Sequence, residues 1–244
     1  FGVNLSGTFE KNITANSDDD SMESYHPWVT PYNEDGTLKY NIKSWKNYTM
    51  DPTPLSNPLQ DNKYNNVTDL KNNLFGSFSA TLKPFKWLSF SSTNTLTLTN
   101  VNTNDYLDSR TYSGNHSRNE MSNGVLKVDD ERSWTFLTSN ILRLQHSFGE
   151  HNLSGLVGQE WYERHTRSSH IEMYDQMIAG ERNVGGFSKQ GDKTNPAVIP
   201  TGAERESGSF SVFSEVNYNY AGKYMASVSF RTDGSTNFGK DNRY

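Results

Sequence analysis

Period-2 alternation, repeated along the chain and punctuated by short turns, constrains this fold more than any other feature. Phe210, Val212, Val216, Tyr218 and Tyr220 alternate with Ser209, Ser211, Glu215, Asn217 and Asn219, interrupted by Phe213. Successive side chains of a strand point to opposite faces, so this run is a strand with one apolar and one polar face. After Ala221-Gly222-Lys223 the pattern restarts as Tyr224, Ala226, Val228 and Phe230 against Ser227, Ser229 and Arg231, which predicts a hairpin. A second hairpin pairs Leu74, Gly76, Phe78, Ala80 and Leu82 with Leu88, Phe90, Leu96 and Leu98. Its turn is assigned to Lys83-Pro84-Phe85-Lys86, because proline has no N–H to give a ladder. A third runs from Trp134, Phe136, Leu142, Leu144 and Phe148 through Gly149-Glu150-His151-Asn152 to a return strand ending in Trp161-Tyr162.

The pattern predicts about seven strands, at 1–12, 70–82, 87–100, 133–148, 153–167, 207–220 and 223–233. Short turns close the hairpins, while long polar segments, 13–69, 101–132 and 168–206, link one hairpin to the next. Loops of that length are uncommon in compact domains. Short turns at one end and long loops at the other are what a transmembrane β-barrel shows, with the long loops outside the cell. Backbone groups left unpaired in lipid cost several kcal/mol each, so such a sheet must close on itself. Composition agrees: hydrophobic residues are only 32%, yet aromatics reach 13%, too many for a disordered polar chain. The longest apolar runs are far short of the roughly 20 residues a membrane helix requires. The expected fold is therefore all-β, an antiparallel transmembrane barrel segment, with Phe78, Phe90, Val212, Val228 and Phe230 facing lipid. A soluble β-sandwich is the competing fold. An odd strand count leaves open edges, and the chain starts inside an alternating run at Phe1, so it reads as a segment of a longer barrel.

Net charge is −5 and the cations are scattered, so no nucleic-acid surface is indicated. Cysteine is absent, which removes disulfides, thiolate metal sites and cysteine nucleophiles. The six histidines fall at no metal spacing, and no G-x-S-x-G elbow is present, so no enzyme is expected and no cofactor is implied. Asp18, Asp19 and Asp20, with Glu23, are weak Ca²⁺ candidates that lack the D-x-D-x-D-G spacing and read better as a solvated loop. The same holds for Asp105, Asp108 and Asp129-Asp130-Glu131. Loop aromatics are the more interesting set. Trp28, Tyr32, Trp45 and Tyr48 lie in the longest loop among Asn33, Asp35 and Asn41, and Tyr106 lies in the next. Such faces stack on sugar rings or peptide side chains, so these residues are candidate contacts to cargo or to a lid. Packing of the loop on itself or against the lid explains them better.

One long motif adds a resemblance. Phe230-Arg231-Thr232-Asp233-Gly234-Ser235-Thr236-Asn237-Phe238-Gly239-Lys240-Asp241-Asn242-Arg243-Tyr244 resembles a signature of the SusC/RagA family of TonB-dependent outer-membrane transporters. Thr236 and Asn237 depart from the usual Ser and Arg. Asn57-Pro58-Leu59, Asn73-Leu74-Phe75-Gly76 and Leu82 to Phe90 are similar to an earlier hairpin of the same barrels. In this resemblance Arg231, Asp233, Gly234, Ser235, Phe238, Gly239, Asn242 and Arg243 are architectural, with Gly234 and Gly239 supplying positive φ. The resemblance implies a family-like 22-stranded barrel, of which this chain would supply about a third, without the plug domain or TonB box. It also implies a multi-pass location in the outer membrane of a Gram-negative bacterium, among lipid and lipopolysaccharide. The partners implied are a SusD-like surface lipoprotein as lid, TonB as energy source, glycan or oligopeptide cargo, and a homodimer of the transporter–lid pair. A siderophore or cobalamin receptor and a surface adhesin are the rival functions.

Overall fold

The computed structural model describes residues 1–16, 28–44, 53–116, 123–190 and 199–238. One antiparallel sheet dominates it. β1 (Gly2–Ala15), β4 (Asn66–Phe85), β5 (Leu88–Leu107), β6 (Val125–Phe148), β7 (His151–Gln176), β9 (Thr201–Tyr220) and β10 (Tyr224–Ser235) lie side by side in that order. The short β8 (Phe187–Gln190) takes up the edge of β7 where β9 ends. β2 (Asn41–Ser44) and β3 (Thr53–Ser56) form a separate ribbon, followed by helix α1 (Pro58–Tyr64); a short helix α2 (Tyr112–His116) follows β5. Among the described residues β1 and β10 each pair on one side only.

The seven expected strands are all present, and each is longer than its apolar pattern. The extension is greatest toward the loops: β5 continues to Leu107, β6 begins at Val125 and β7 runs to Gln176. The connections shrink to 16–65, 108–124 and 177–200. The reason is physical. Alternation marks a strand only where one face meets an apolar medium, and beyond that depth both faces can be polar while the ladder continues. Pro84 also differs from expectation. It stands inside β4, at an irregularity where the register shifts between Leu82 and Phe85, and the turn proper is Lys86-Trp87. A bulge is one of the few places where a strand tolerates a residue that cannot donate.

Register sorts the side chains into two faces. Val3, Phe78, Asn94, Thr138, Trp161 and Phe210 share one row of one face, because each is the cross-strand partner of the next. That outer face carries an apolar band, to which Leu88, Phe90, Leu96 and Leu98 contribute on β5. From Leu88 to Leu98, steps of about 3.3 Å tilted by about 40° give a height of about 25 Å, the thickness expected of a barrel's lipid-facing band. Phe78, Phe90, Val212, Val228 and Phe230 all lie on this face; Val228 is 72% and Phe230 61% exposed within the chain. Apolar side chains left this bare on one continuous face belong against lipid. At the short-turn end rings follow one another across the strands: Phe85 on Trp87 (5.2 Å), Phe148 on His151 (5.1 Å), His151 by Tyr220 (4.7 Å) and Tyr220 by Tyr224 (6.4 Å). This is an interfacial aromatic girdle. The inner face is polar, with Ser, Thr and Asn dominating and charges interspersed. The buried apolar cluster is small and sits at the loop end, where Tyr106, Leu126, Met173 and Phe187 pack together under β8.

Candidate functional site

The loop end is tied together by buried polar side chains. Asn57 is fully buried and caps α1 by accepting from the Leu59 N–H at 3.1 Å. Its amide donates to the carbonyls of Pro31 (2.9 Å) and Lys39 (2.8 Å), pinning the 28–44 segment to the helix. Asn65 donates to Asp61 (3.1 Å) and to the Ser113 hydroxyl (2.9 Å), and accepts from the Asp108 N–H at 2.8 Å. Gln176 at the end of β7 accepts from the Ser109 N–H (2.9 Å) and donates to the Tyr106 hydroxyl (2.5 Å) and the Glu181 carbonyl (2.9 Å). Thus all three long connections converge on one platform above β4–β7. Gly114 is required there, since a Cβ on it would stand 2.0 Å from the Asp108 carbonyl oxygen.

Asp108 is the electrostatic centre of the platform. Its carboxylate is fully buried and accepts from the Tyr106 hydroxyl (2.7 Å), the Arg110 N–H (2.9 Å) and the Arg110 guanidinium (2.8 and 2.7 Å). Burial pushes its pKa up, but the bonds from Arg110 and Tyr106 outweigh burial and hold it below the ordinary value. For Tyr106 burial and the neighbouring Asp108 act in the same direction, and its hydroxyl is pushed up to about 12. Arg110 stacks on the Tyr64 ring at 4.1 Å. These residues correct two expectations. Asp108 is no solvated loop acid. Tyr106, expected as a cargo or lid contact, is 1% exposed and belongs to the buried cluster, with the Arg182 guanidinium over its ring at 5.0 Å. An aromatic at the end of a strand whose neighbours are polar looks like a loop aromatic in sequence, because its burial comes from loops far away in the chain.

The other aromatic candidates divide. Trp28 is 75% and Tyr32 46% exposed on the pinned segment, where Tyr32 bridges Leu38. Tyr40 packs edge-on against Tyr112 at 5.7 Å and accepts from Asn115 at 2.8 Å. Trp45 and Tyr48 lie outside the described residues, as do Asp18, Asp19 and Asp20. Among the described residues no group of three His, Asp or Glu could hold a metal ion. His165 instead pairs with Glu204 at 2.8 Å and His170 with Asp129 at 2.7 Å. Below the platform, Thr103, Asp129, Glu131, Ser168 and His170 line a cavity of about 450 Å³.

The C-terminal motif occupies the inner wall. Arg231 donates through Nε to both oxygens of Asp233 (2.9 and 3.0 Å) and reaches Ser211 (3.2 Å) and Glu160 (3.4 Å) through Nη2. Its guanidinium lies 5.4 Å from the centre of the Phe213 ring. Phe213, the residue that broke the alternation, lies on the polar face because Gly158 leaves a recess for it: a Cβ on Gly158 would stand 2.2 Å from the ring. Gly234 pairs with Phe210 inside β10, so the positive φ expected of it is absent. Ser235 pairs with Ser209, and its carbonyl accepts from the Phe238 N–H at 3.4 Å. Gly239, Asn242 and Arg243 lie outside the described residues.

A long-stranded antiparallel sheet, apolar outside and polar inside over about 25 Å, with loops gathered at one end, defines the wall of a transmembrane β-barrel. No family model matches the chain. Two TonB-dependent receptors of Formosa agariphila are similar in sequence. Receptor P3 is 34% identical over 111 residues, covering 44% of this chain and 10% of the receptor. Receptor P26 is 28% identical over 220 residues, covering 87% and 20%. The chain therefore spans a tenth to a fifth of the length of these curated relatives. The structure of the RagAB peptide transporter has the same fold over 99% of this chain and 26% of its own, with a TM-score of 0.66 and 17% identity. The RagAB importer in its "closed-closed" state gives the same TM-score at 19% identity. The SusC/RagA resemblance is thereby borne out as a likeness: the chain is similar in sequence to TonB-dependent receptors and shares the fold of part of the RagAB barrel. These relatives are receptors and transporters, not enzymes.

Proposed function

We propose that the chain forms part of the wall of a TonB-dependent importer in the outer membrane of a Gram-negative bacterium, crossing the membrane with each long strand. The observation that carries this reading is the 25 Å apolar outer band set against a polar inner wall, in a sheet that shares the RagAB fold. A SusD-like surface lipoprotein covers the loop end, and TonB supplies the energy through parts of the protein outside this chain. The cargo is a glycan or an oligopeptide. The inner wall suits both, since Asn152, Ser154, Asn217, Asn219 and Ser227 around a cavity of about 560 Å³ can bond sugar hydroxyls or peptide amides.

Within this reading Trp28, Tyr32, Trp45 and Tyr48 contact cargo or lid. Asn57 holds the segment bearing Trp28 and Tyr32, so those two faces are presented from a fixed support. Stacking by one aromatic contributes only about 0.5–1.5 kcal/mol beyond its buried area, so removing Trp28 alone weakens binding modestly. Replacing Trp28, Tyr32, Trp45 and Tyr48 together by Ala in the full-length protein should weaken cargo or lid binding strongly, with folding verified by heat-modifiable gel mobility. A folded quadruple variant that binds peptides, glycans and lid as tightly as the parent would reduce these aromatics to loop packing.

A further inference from the structure

At the short-turn end of the inner wall three cations surround one recess. Lys83, Lys86 and Arg143 line a cavity of about 310 Å³ together with Ser89, Leu156 and Glu215. Among the described residues none of these cations has an ion-pair partner, whereas on the same face Lys127 pairs with Asp105 at 3.5 Å and Arg231 with Asp233 at 2.8 Å. Register explains why. Arg143 stands between Ser89 and Leu156, and Glu215 lies beyond Leu156 in the same row, about 10 Å from Arg143 at the usual strand spacing. The Glu215 carboxylate accepts instead from the Asn217 amide at 2.6 Å. One carboxylate against three cations leaves the cavity with a net positive charge.

This charge lies beside an apolar step. One row nearer the loops, Ile141 stands next to Gly158, and the Phe213 ring fills the recess that Gly158 leaves. Ile141, Leu156 and Phe213 are half-buried, and Gly158 apart, their rows are otherwise polar: Thr81, Ser91 and Arg231 in one, Ser89, Arg143, Glu215 and Ser229 in the other. A guanidinium fork bonds a carboxylate through two parallel N–H donors, and ammonium groups add charge without fixing direction. An apolar group laid on the step is removed from water. The two features together call for a ligand that carries an anion and an apolar group close to each other.

We propose that the recess receives the carboxylate end of a peptide, with an apolar last side chain on Leu156, Ile141 and Phe213. The inference rests on the importer reading and chooses between its two cargo classes. A neutral glycan brings no charge to the three cations. An acidic sugar brings the charge, but the hydroxyls around its ring would lie on Leu156 and Ile141 unbonded, and a buried hydroxyl without a partner is costly. A peptide terminus carries its carboxylate and its last side chain on one carbon, which matches cations and apolar step standing side by side. The recess lies at the level of Leu88 and Leu144, beside the short turns, so the carboxylate end leads the peptide through the lumen.

The test is TonB-dependent uptake by cells carrying the full-length receptor. The probes are labelled, N-acetylated neutral peptides ending in leucine, with either a free carboxylate or an amide, at concentrations below saturation. The free acid should enter at least about tenfold faster than the amide, and faster than the same peptide ending in serine. Lys83→Gln/Lys86→Gln/Arg143→Gln should bring the free acid down to the rate of the amide and leave the amide unchanged. Lys223→Gln, a cation in the β9–β10 turn outside the cavity, should keep the parent's ratio. Equal uptake of acid and amide by the parent receptor overturns the proposal alone, because the cations then serve another part of the protein, and this comparison requires no variant. A ratio that survives the triple substitution, or an acidic oligosaccharide that competes as well as the free-acid peptide, also overturns it. Absence of TonB-dependent uptake for both peptides and for glycans defeats the importer reading, and the proposal with it.

Discussion

The two ends of the long strands obey different rules. At the short-turn end, hairpins close tightly, rings line the outer edge, and the two faces differ sharply in polarity. At the loop end the same strands continue without an apolar outer band, around one small buried cluster, and order comes largely from Asn57, Asn65, Asp108 and Gln176 bonding across connections distant in sequence. The first end is held by its medium, because lipid penalises every misplaced polar group. The second is held by specific bonds, because water on both sides makes no such demand. Substitution should therefore be punished by side-chain polarity at one end and by loss of a bond partner at the other.

The largest effect is expected in the band. Val228→Arg should destabilise the full-length barrel by roughly 2–4 kcal/mol near the midplane, measured by reversible urea unfolding in lipid vesicles. Ser229→Arg, one residue on and facing inward, should cost far less. Equal costs would erase the distinction between the faces.

A smaller effect, confined to the loop end, is expected for Asp108→Ala. Hydrogen bonds to a charged group contribute about 1.5–3 kcal/mol, so the platform should loosen by about that much while the barrel's heat-modifiable mobility is unchanged. Faster hydrogen exchange at 57–65 and 108–116, with none in the hairpins, is the expected readout.

The smallest expected effect is that of pH. Asp108 has a lowered folded pKa, so its contribution is present above the ordinary aspartate value of about 3.9 and is lost as pH falls through its folded value. Tyr106 is raised to about 12, so its contribution is complete below the ordinary tyrosine value and is lost as pH rises through about 12. Protease nicking of the loop end should increase below about pH 4 and in strong alkali, with the banded half unaffected. Uniform loss of both halves would contradict the division.

This division also explains what the sequence disclosed. Alternation located every long strand and its lipid-facing residues, since the medium writes directly into the residue order. The strand ends beyond Asn100, Arg167 and Ser207 left no such record. Asn57-Pro58 entered the sequence reading only through the family resemblance, and nothing local announced that the Asn57 amide caps a helix and reaches Pro31 and Lys39. Tyr106 read as a loop residue because its partners, Gln176 at the end of β7 and Arg182 beyond it, are far away in the chain, and Asp108 did so because the Asn65 that accepts its N–H comes from another connection. Phe213 looked like an error in the pattern until Gly158, on the neighbouring strand, supplied its recess.

The central claim is that one face of the sheet meets lipid and the other a polar interior across the same 25 Å. It is tested most directly by spin labels placed one at a time at positions 226 to 231 of the full-length protein in vesicles. Labels at Ala226, Val228 and Phe230 should be accessible to oxygen and shielded from a water-soluble nickel reagent, with those at Ser227, Ser229 and Arg231 showing the reverse. Accessibility without this alternation, or with its phase inverted, would contradict the account.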